Sequence, residues 1–340
     1  MNIVVQILLL CLVFGFMSCQ KKTDNAPQNR IIDFEVPSDF PTPVYQFQTN
    51  NSLSIKGFEL GRKLFYDKRL SLDNTISCAS CHFQHAAFSD PGKALSSGVN
   101  GAQGRRNSPP LFNLAWHPHF NWDGGVNHLE IFSVAPITDE NEMNIPLKDL
   151  LERLNGITSY QKLFKEAFDV DEITSLELLY ALTQFMAVKI SDKSLYDEYR
   201  RGQSQFNALQ KEGLNLFNQH CASCHAPPLF SNFGFANNGI DSVFSDEGRK
   251  EITHRENDLG KFKIPSLRNV ALTWPYMHDG RMATLEEVIN HYSEGIVPSE
   301  TLAPELKNLH LSEQEKKALL AFLKTLTDHE FIKNPLFSEP

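Results

Sequence analysis

The chain has few cysteines, little basic charge and no long apolar segment. Only 6 of its 340 residues are cysteines, too few for a disulfide scaffold. Its longest apolar run, residues 3–17, is shorter than the ~20 residues that span a bilayer. Lysine and arginine number 32 against 41 acidic residues, so we expect no nucleic-acid partner. Hydrophobic residues make up 41%, which is enough for a folded core and excludes global disorder.

The short apolar run at the N-terminus has the length of an export signal. It ends at Ser18 and Cys19, before polar residues, and resembles a bacterial lipoprotein signal over 1–19 in which Cys19 becomes acylated. The alternative is an ordinary cleaved signal with an incidental cysteine. Both predict a mature chain in the periplasm or cell envelope. If Cys19 is acylated, we expect the chain to be held to a membrane only through that lipid anchor. Residues 20–51 contain four prolines and no clear period, and predict a tether.

Helical periodicity dominates the rest of the chain, and alternating strand patterns are sparse. Similar apolar spacings predict closing helices near 178–190 and 315–327, the second preceded by a capping box of Ser312 and Glu315. Another single apolar stripe is formed by Leu147, Leu150, Leu151 and Leu154. We therefore predict a mainly α protein with long loops and little strand.

The chain repeats one plan twice. A G-x-x-L-F segment starting at Gly61 precedes the pentapeptide C-A-S-C-H, and a second one starting at Gly213 precedes an identical pentapeptide. A glycine on this first helix would let the closing helix cross closely, because no side chain stands between the two backbones. The pattern predicts a duplication with domains at 52–202 and 203–340.

C-x-x-C-H is the attachment sequence of c-type haem, in which two thiols bond to the porphyrin and the histidine ligates the iron. A structural zinc site would need paired C-x-x-C units about 15–20 residues apart, and a thioredoxin-type site would need a preceding strand; neither setting is present. We therefore predict two covalent haem c groups, with His82 and His225 as proximal ligands. The attachment cysteines are Cys78, Cys81, Cys221 and Cys224.

Several further motifs accompany these pentapeptides: residues 104–113 (GRRNSPPLFN), 121–125 (NWDGG), 135–137 (API) leading to 142–143 (EM), 265–273 (PSLRNVALT), 275–281 (PYMHDGR) and 284–288 (TLEEV). Through them the chain resembles the bacterial di-haem cytochrome c peroxidases and their MauG-type relatives from about Gly57 to Lys324. The resemblance implies two cytochrome c-like haem domains packed against each other, with an N-terminal peroxidatic haem and a C-terminal electron-transfer haem.

The resemblance assigns further roles. Glu142 matches the family's distal acid, which moves a proton between the two oxygens of peroxide; by composition alone it is one acid of an exposed acidic run. Trp122 matches a tryptophan between the haems that relays electrons, and it can equally be a core aromatic. Asn107, Thr273 and Pro275 match an inter-domain calcium site, the last two through backbone carbonyls.

The chain also departs from the family pattern. Val99 stands where classical members place a histidine that caps the peroxidatic iron, so we expect that iron to be open at rest; a ligand from His117, His119 or His128 is the alternative. Phe132 replaces the family's distal glutamine.

The relay iron has two candidate axial ligands. Tyr292 stands where classical members carry methionine and MauG-type enzymes carry tyrosine, and Met277 is its rival.

The resemblance implies a cytochrome-c peroxidase-type oxidoreductase that reduces hydrogen peroxide with electrons from a small c-type cytochrome or copper protein, and family members often form homodimers. A MauG-type oxidase of a protein substrate is the first alternative. A non-catalytic di-haem electron carrier or redox sensor is the second.

Overall fold

The computed structural model describes residues 29–47 and 51–340. Within them the protein is mainly helical, as predicted. The first half contains α1 (Ile55–Tyr66), α2 (Val134–Thr138), α3 (Leu147–Asn155), α4 (Thr158–Phe168) and α5 (Ser175–Ala187), and a connecting helix, α6 (Leu195–Arg200), leads out of it. The second half contains α7 (Ala208–His220), α8 (Lys250–Thr253), α9 (Leu285–Asn290), a π-helical turn (His291–Gly295) and α10 (Glu313–Lys324). The described strands, β1 (Phe235–Ala236) and β2 (Phe262–Lys263), pair antiparallel.

Each half is built on one pair of crossed helices. In the first half α1 crosses α5, and a Cβ atom placed on Gly61 would overlap the carbonyl oxygen of Ala181. In the second half α7 crosses α10, and a Cβ atom on Gly213 would overlap the carbonyl oxygen of Ala318. The prediction that these glycines allow a close crossing is confirmed, because any larger residue would push the helices apart.

Helix boundaries follow local sequence signals. The predicted capping box is present: the Ser312 hydroxyl accepts from the Glu315 backbone N–H, and the Glu315 carboxylate accepts from the Ser312 N–H. The leucine stripe at 147–154 lies on α3, where Leu150 and Leu154 are buried. Each half buries its own aromatic core. The largest buried rings of the first core are Phe65, Phe88, Phe112, Tyr160, Phe164 and Phe185, and those of the second are Phe217, Phe230 and Phe322.

Both ends of the described chain pack against its body. Trp116 Nε1 donates to the carbonyl oxygen of Pro41 at 2.7 Å, and Phe40 is buried beside the Trp116 ring, so the part of the predicted tether within 29–47 is ordered against the protein. Phe331 and Phe337, which the sequence boundaries place in the second domain, lie in the core of the first half. The C-terminal segment of the chain therefore packs in the first half.

A buried ion pair fixes the connecting helix to the second half. Arg268 and Asp197 are almost fully buried, and the two guanidinium nitrogens donate to the two carboxylate oxygens at 2.7 and 2.8 Å. Arg268 Nε also donates to the carbonyl oxygen of Pro228 at 2.7 Å, in the loop after the second pentapeptide. This pair therefore ties α6 to the loop that follows the second haem-attachment sequence.

Within the described ranges, no helix is long and apolar enough to cross a membrane. Cys19 and the signal predicted at 1–19 lie outside the described residues, as do the first nine residues of the predicted tether.

Candidate active site

The two pentapeptides hold their histidines in the same way. His82 Nδ1 lies 2.7 Å from the carbonyl oxygen of Phe88, and His225 Nδ1 lies 3.1 Å from that of Pro265. A protonated Nδ1 that donates to a carbonyl leaves the Nε2 lone pair free for a metal. Burial lowers the pKa of both histidines to about 4, so both imidazoles are neutral, as ligation requires.

The donor set at each pentapeptide fits a c-type haem. The four cysteines are free thiols, and none is consumed by a disulfide. Burial raises the pKa of Cys78 and of Cys221 to about 12, so neither is a thiolate nucleophile at neutral pH. When bound, the haem groups would supply the redox chemistry, and His82 and His225 would hold their irons.

Glu142 follows α2 at the end of a tight turn. Its carbonyl oxygen accepts from the Val99 N–H at 2.8 Å, so the loop that could have carried a capping histidine lies directly against it. Glu142 is exposed to solvent. Surrounding protein atoms nevertheless restrict hydration of the carboxylate, and with the charge of Asp139 this raises the pKa to about 7.

The carboxylate of Glu142 lies on the side of the first attachment sequence. Burial is the main cause of the raised pKa values of Cys78 and Cys81, and the negative charge of Glu142 contributes to both. A group that is half ionised near neutral pH can both accept and return a proton there. The charge of Glu142 therefore acts on the first pentapeptide.

The positions that depart from the family are apolar and packed. Val99 is buried, and the Phe132 ring stacks on Phe120 with centroids 4.9 Å apart. Of the alternative ligands, His128 is exposed, whereas His117 and His119 contact Phe233 and Phe235 of the second half. The latter two histidines therefore face the interface between the halves.

Trp122 is held by both halves of the protein. Its indole Nε1 donates to the carbonyl oxygen of Asn107 at 2.7 Å, and its own carbonyl accepts from the Lys263 N–H of β2 at 2.7 Å. The ring is partly buried. These two bonds hold Trp122 at the interface between the halves.

Of the three predicted calcium ligands, Asn107 belongs to the first half of the chain, and Thr273 and Pro275 belong to the second. The amide nitrogen of Asn107 donates to the carbonyl oxygens of Lys93 and Ala94, both at 3.1 Å, which leaves its side-chain oxygen free to accept. In the described part of the chain, no hydrogen bond ends on the carbonyl oxygen of Thr273 or Pro275. Three neutral oxygens without donors suit a hard cation such as Ca²⁺.

Tyr292 lies in the π-helical turn after α9, a distortion that is frequent at functional sites. Burial raises the pKa of its phenol to about 12, and the nearby Cys221 adds to that effect. Met277 lies close by, and Asn238 contacts both candidates: its amide nitrogen donates to the Met277 sulfur at 3.2 Å, and its side chain hydrogen-bonds Tyr292. Both potential ligands therefore lie in the second half, joined through one amide.

Sequence reasoning missed three residues whose polar groups lie near the predicted site residues: Asn238, Lys263 and Lys189. Lys189 is fully buried, with its ammonium nitrogen 4.0 to 4.5 Å from the ring centroids of three phenylalanines of the first core. Lys263 stands between Phe262 and Ile264, and a lysine in so apolar a segment was a weak signal of burial. No local pattern distinguishes Asn238.

Comparisons with known proteins agree with this geometry. Residues 55–205 match the family model described as di-haem cytochrome c peroxidase. The methylamine utilization protein MauG of Methylophilus methylotrophus is 33% identical over 86% of this chain and 87% of its own length. The cytochrome c551 peroxidase of Nitrosomonas europaea is 32% identical over 82% of each chain.

A solved structure supports the same relationship. A MauG-like protein associated with microbial copper homeostasis superimposes with a TM-score of 0.84 and 34% identity, covering 91% of this chain and 99% of that one. The relatives thus include proteins named as peroxidases and proteins named MauG, and all share the di-haem architecture that implies haem c cofactors. On its sequence and its fold, the chain belongs to the di-haem cytochrome c peroxidase family.

Proposed function

We propose that this protein is an exported peroxidase that reduces hydrogen peroxide to water, with electrons from a small c-type cytochrome or a copper protein. The observation that carries the proposal is Glu142, whose carboxylate lies beside the first attachment sequence and has a pKa near 7. An electron carrier needs no such acid–base group, because its irons are closed on both faces.

Glu142 has a defined task in this reaction. Hydrogen peroxide takes up two electrons and two protons and yields two water molecules. The haem that His82 would hold would supply the electrons, and the Glu142 carboxylate would accept a proton from one peroxide oxygen and return it to the other, so that the O–O bond breaks heterolytically and the first water leaves. Phe132 and Val99 stand at the positions of the family's distal glutamine and capping histidine and carry no acid–base group. In this proposal Glu142 therefore transfers the proton.

Trp122 supports the path of the electrons. In this proposal they enter at the C-terminal half, where His225 holds the second haem, and cross the interface through the indole. A calcium ion bound by Asn107, Thr273 and Pro275 would brace the same interface, since Asn107 also accepts from the indole of Trp122. Export to the periplasm or cell envelope, with Cys19 acylated, is part of the same proposal, and a homodimer is its expected assembly.

A specific observation favours a second candidate function, that of a MauG-type oxidase of a protein substrate. Tyr292 stands in a π-helical turn, close to the cysteines of the second pentapeptide. A phenolate would stabilise high-valent iron better than a thioether. Electron paramagnetic resonance of the resting protein beside Tyr292→Phe tests this: an unchanged spectrum of the second haem would exclude Tyr292 as its ligand.

The peroxidase proposal is tested by adding hydrogen peroxide to the ferric holoprotein and following the Soret band. We expect a spectral change in the wild type and a ~10²–10⁴-fold loss of peroxide turnover in Glu142→Gln. Glu140→Gln is the matched control, because Glu140 is an exposed acid of the same turn. No Soret change in the wild type would support the non-catalytic carrier, and unchanged turnover in Glu142→Gln would remove Glu142 from the mechanism.

A further inference from the structure

Two nitrogen-bearing side chains share a cleft between the halves and lack a partner. The cleft is walled by apolar groups, among them Leu111 and Phe132, and by the indole of Trp122. Lys263 and His117 also line it, and each is more than nine-tenths buried. In the described part of the chain, no hydrogen bond or ion pair engages the Lys263 ammonium, and Nε2 of His117 is buried without a partner.

This arrangement is unfavourable as it stands. Lys263 is mostly buried and has no counter-charge, which is unfavourable for an ammonium group, and the buried imidazole nitrogen of His117 without a partner adds to the cost. No aspartate or glutamate lines the described walls of the cleft. The cleft therefore lacks an anion that can accept hydrogen bonds from both nitrogens at once, and a carboxylate has the two oxygens for this.

We propose that Lys263 and His117 bind a propionate carboxylate of a haem. This inference rests on the haem groups of the proposed function but not on its peroxidase activity. The relay haem is the nearer source: Pro265, two residues after Lys263, accepts from the proximal His225. The His117 ring also lies 4.6 Å from Phe233, in the loop after the second pentapeptide.

The same contact has a consequence for electron transfer. The Lys263 backbone N–H donates to the carbonyl oxygen of Trp122. A propionate held by the Lys263 side chain would therefore fix the edge of its haem relative to the indole. Lys263 and His117 act as positioning residues, because they orient the cofactor and do not touch peroxide.

The test uses the holoprotein and two readouts that do not depend on turnover. Resonance Raman spectra report the propionate bending modes, and spectroelectrochemical titration reports the midpoint potential of each haem. Lys263→Met removes a nearby cation that favours the ferrous state, so it should lower the midpoint potential of the relay haem. We expect a decrease of ~59 mV, which is a tenfold change in the ferric–ferrous equilibrium. Both Lys263→Met and His117→Phe should shift the propionate modes.

Two variants control for charge and folding. Lys261→Met removes a lysine two residues away that pairs with Asp258 at the surface, and should leave both readouts unchanged. Lys263→Arg should restore the wild-type potential. A shift confined to the N-terminal haem would assign the propionate to that porphyrin.

Two results would overturn the proposal. One is haem-loaded Lys263→Met with unchanged spectra and potentials. The other is a wild-type potential that responds to added inorganic phosphate only while Lys263 is present, which would assign the cleft to an anion from solution. Protein that matures without covalent haem would instead refute the cofactor assignment itself.

Discussion

The pKa of Glu142 predicts how peroxide turnover depends on pH. With a pKa of about 7, the ionised fraction of the carboxylate rises from about 0.1 at pH 6 to about 0.9 at pH 8. The ionised form is the one that accepts the first proton, so kcat/KM for peroxide should rise about tenfold across this interval and level off above it. Below the pKa the protonated acid cannot act as a base, and the rate should fall by about tenfold per pH unit.

The assay is steady-state peroxide reduction with a chemical electron donor whose own rate does not change with pH. Glu142→Gln should lose the rise near pH 7 together with most of its activity. Asp139→Asn should keep the activity but move the midpoint to lower pH, because the negative charge of Asp139 contributes to raising the pKa. A midpoint near 7 that persists in Glu142→Gln would refute the assignment, since another group would then be titrating.

Three further substitutions test the fold and the second haem site. Asp197→Asn should lower the free energy of unfolding by about 3–5 kcal/mol in denaturant titration, because it leaves the Arg268 guanidinium buried without a counter-charge; a loss below 1 kcal/mol would contradict this. Gly213→Ala should lower the free energy of unfolding by about 1–3 kcal/mol, since the new methyl group overlaps the backbone of α10; an unchanged thermal midpoint would show that the helices can separate. Asn238→Leu should release the sulfur of Met277 and shift ligand occupancy toward it by about fivefold, visible as a near-infrared band of thioether ligation; no such band would mean that the amide does not restrain the sulfur.

The parts of the fold that could be predicted depend on local sequence patterns. The leucine spacing of α3 and the capping box at Ser312 operate over one or two turns, so each is visible within a short window. The helix crossings were predictable for a different reason. Gly61 and Gly213 occupy the same place in two copies of one segment, and the repetition marks a position where a side chain would clash.

The packing of both chain ends could not be predicted, because it depends on contacts between residues far apart in sequence. The prolines before residue 51 suggested a tether, yet Pro41 provides a carbonyl oxygen that Trp116 needs. Phe331 and Phe337 come after α10 in the second half of the chain, and no local pattern indicated that they pack in the core of the first half. Segments of this kind are positioned by distant partners and not by their own periodicity.

The candidate site divides in the same way. Adjacent residues in each pentapeptide give the attachment chemistry, so Cys78, Cys81 and His82 could be assigned without a structure. The carbonyl oxygen near His82 comes from Phe88, six residues further on, whereas one of those near His225 comes from Pro265, 40 residues further on. Asn238 and Lys263 contribute through contacts that only the folded chain creates, and for that reason sequence reasoning missed them.

Trp122 shows why the relation between the two halves matters for the proposed chemistry. One of its hydrogen bonds goes to Asn107 in the first half, and the other comes from Lys263 in the second. The indole can therefore keep its orientation only while the halves stay in register. Asn107 is also a ligand in the proposed calcium site, and Lys263 lines the cleft proposed to hold a propionate. A change at Asn107 would act on the indole N–H, and a change at Lys263 would act on the backbone carbonyl of Trp122, so in this proposal cofactor binding and the geometry of electron transfer are coupled at this residue.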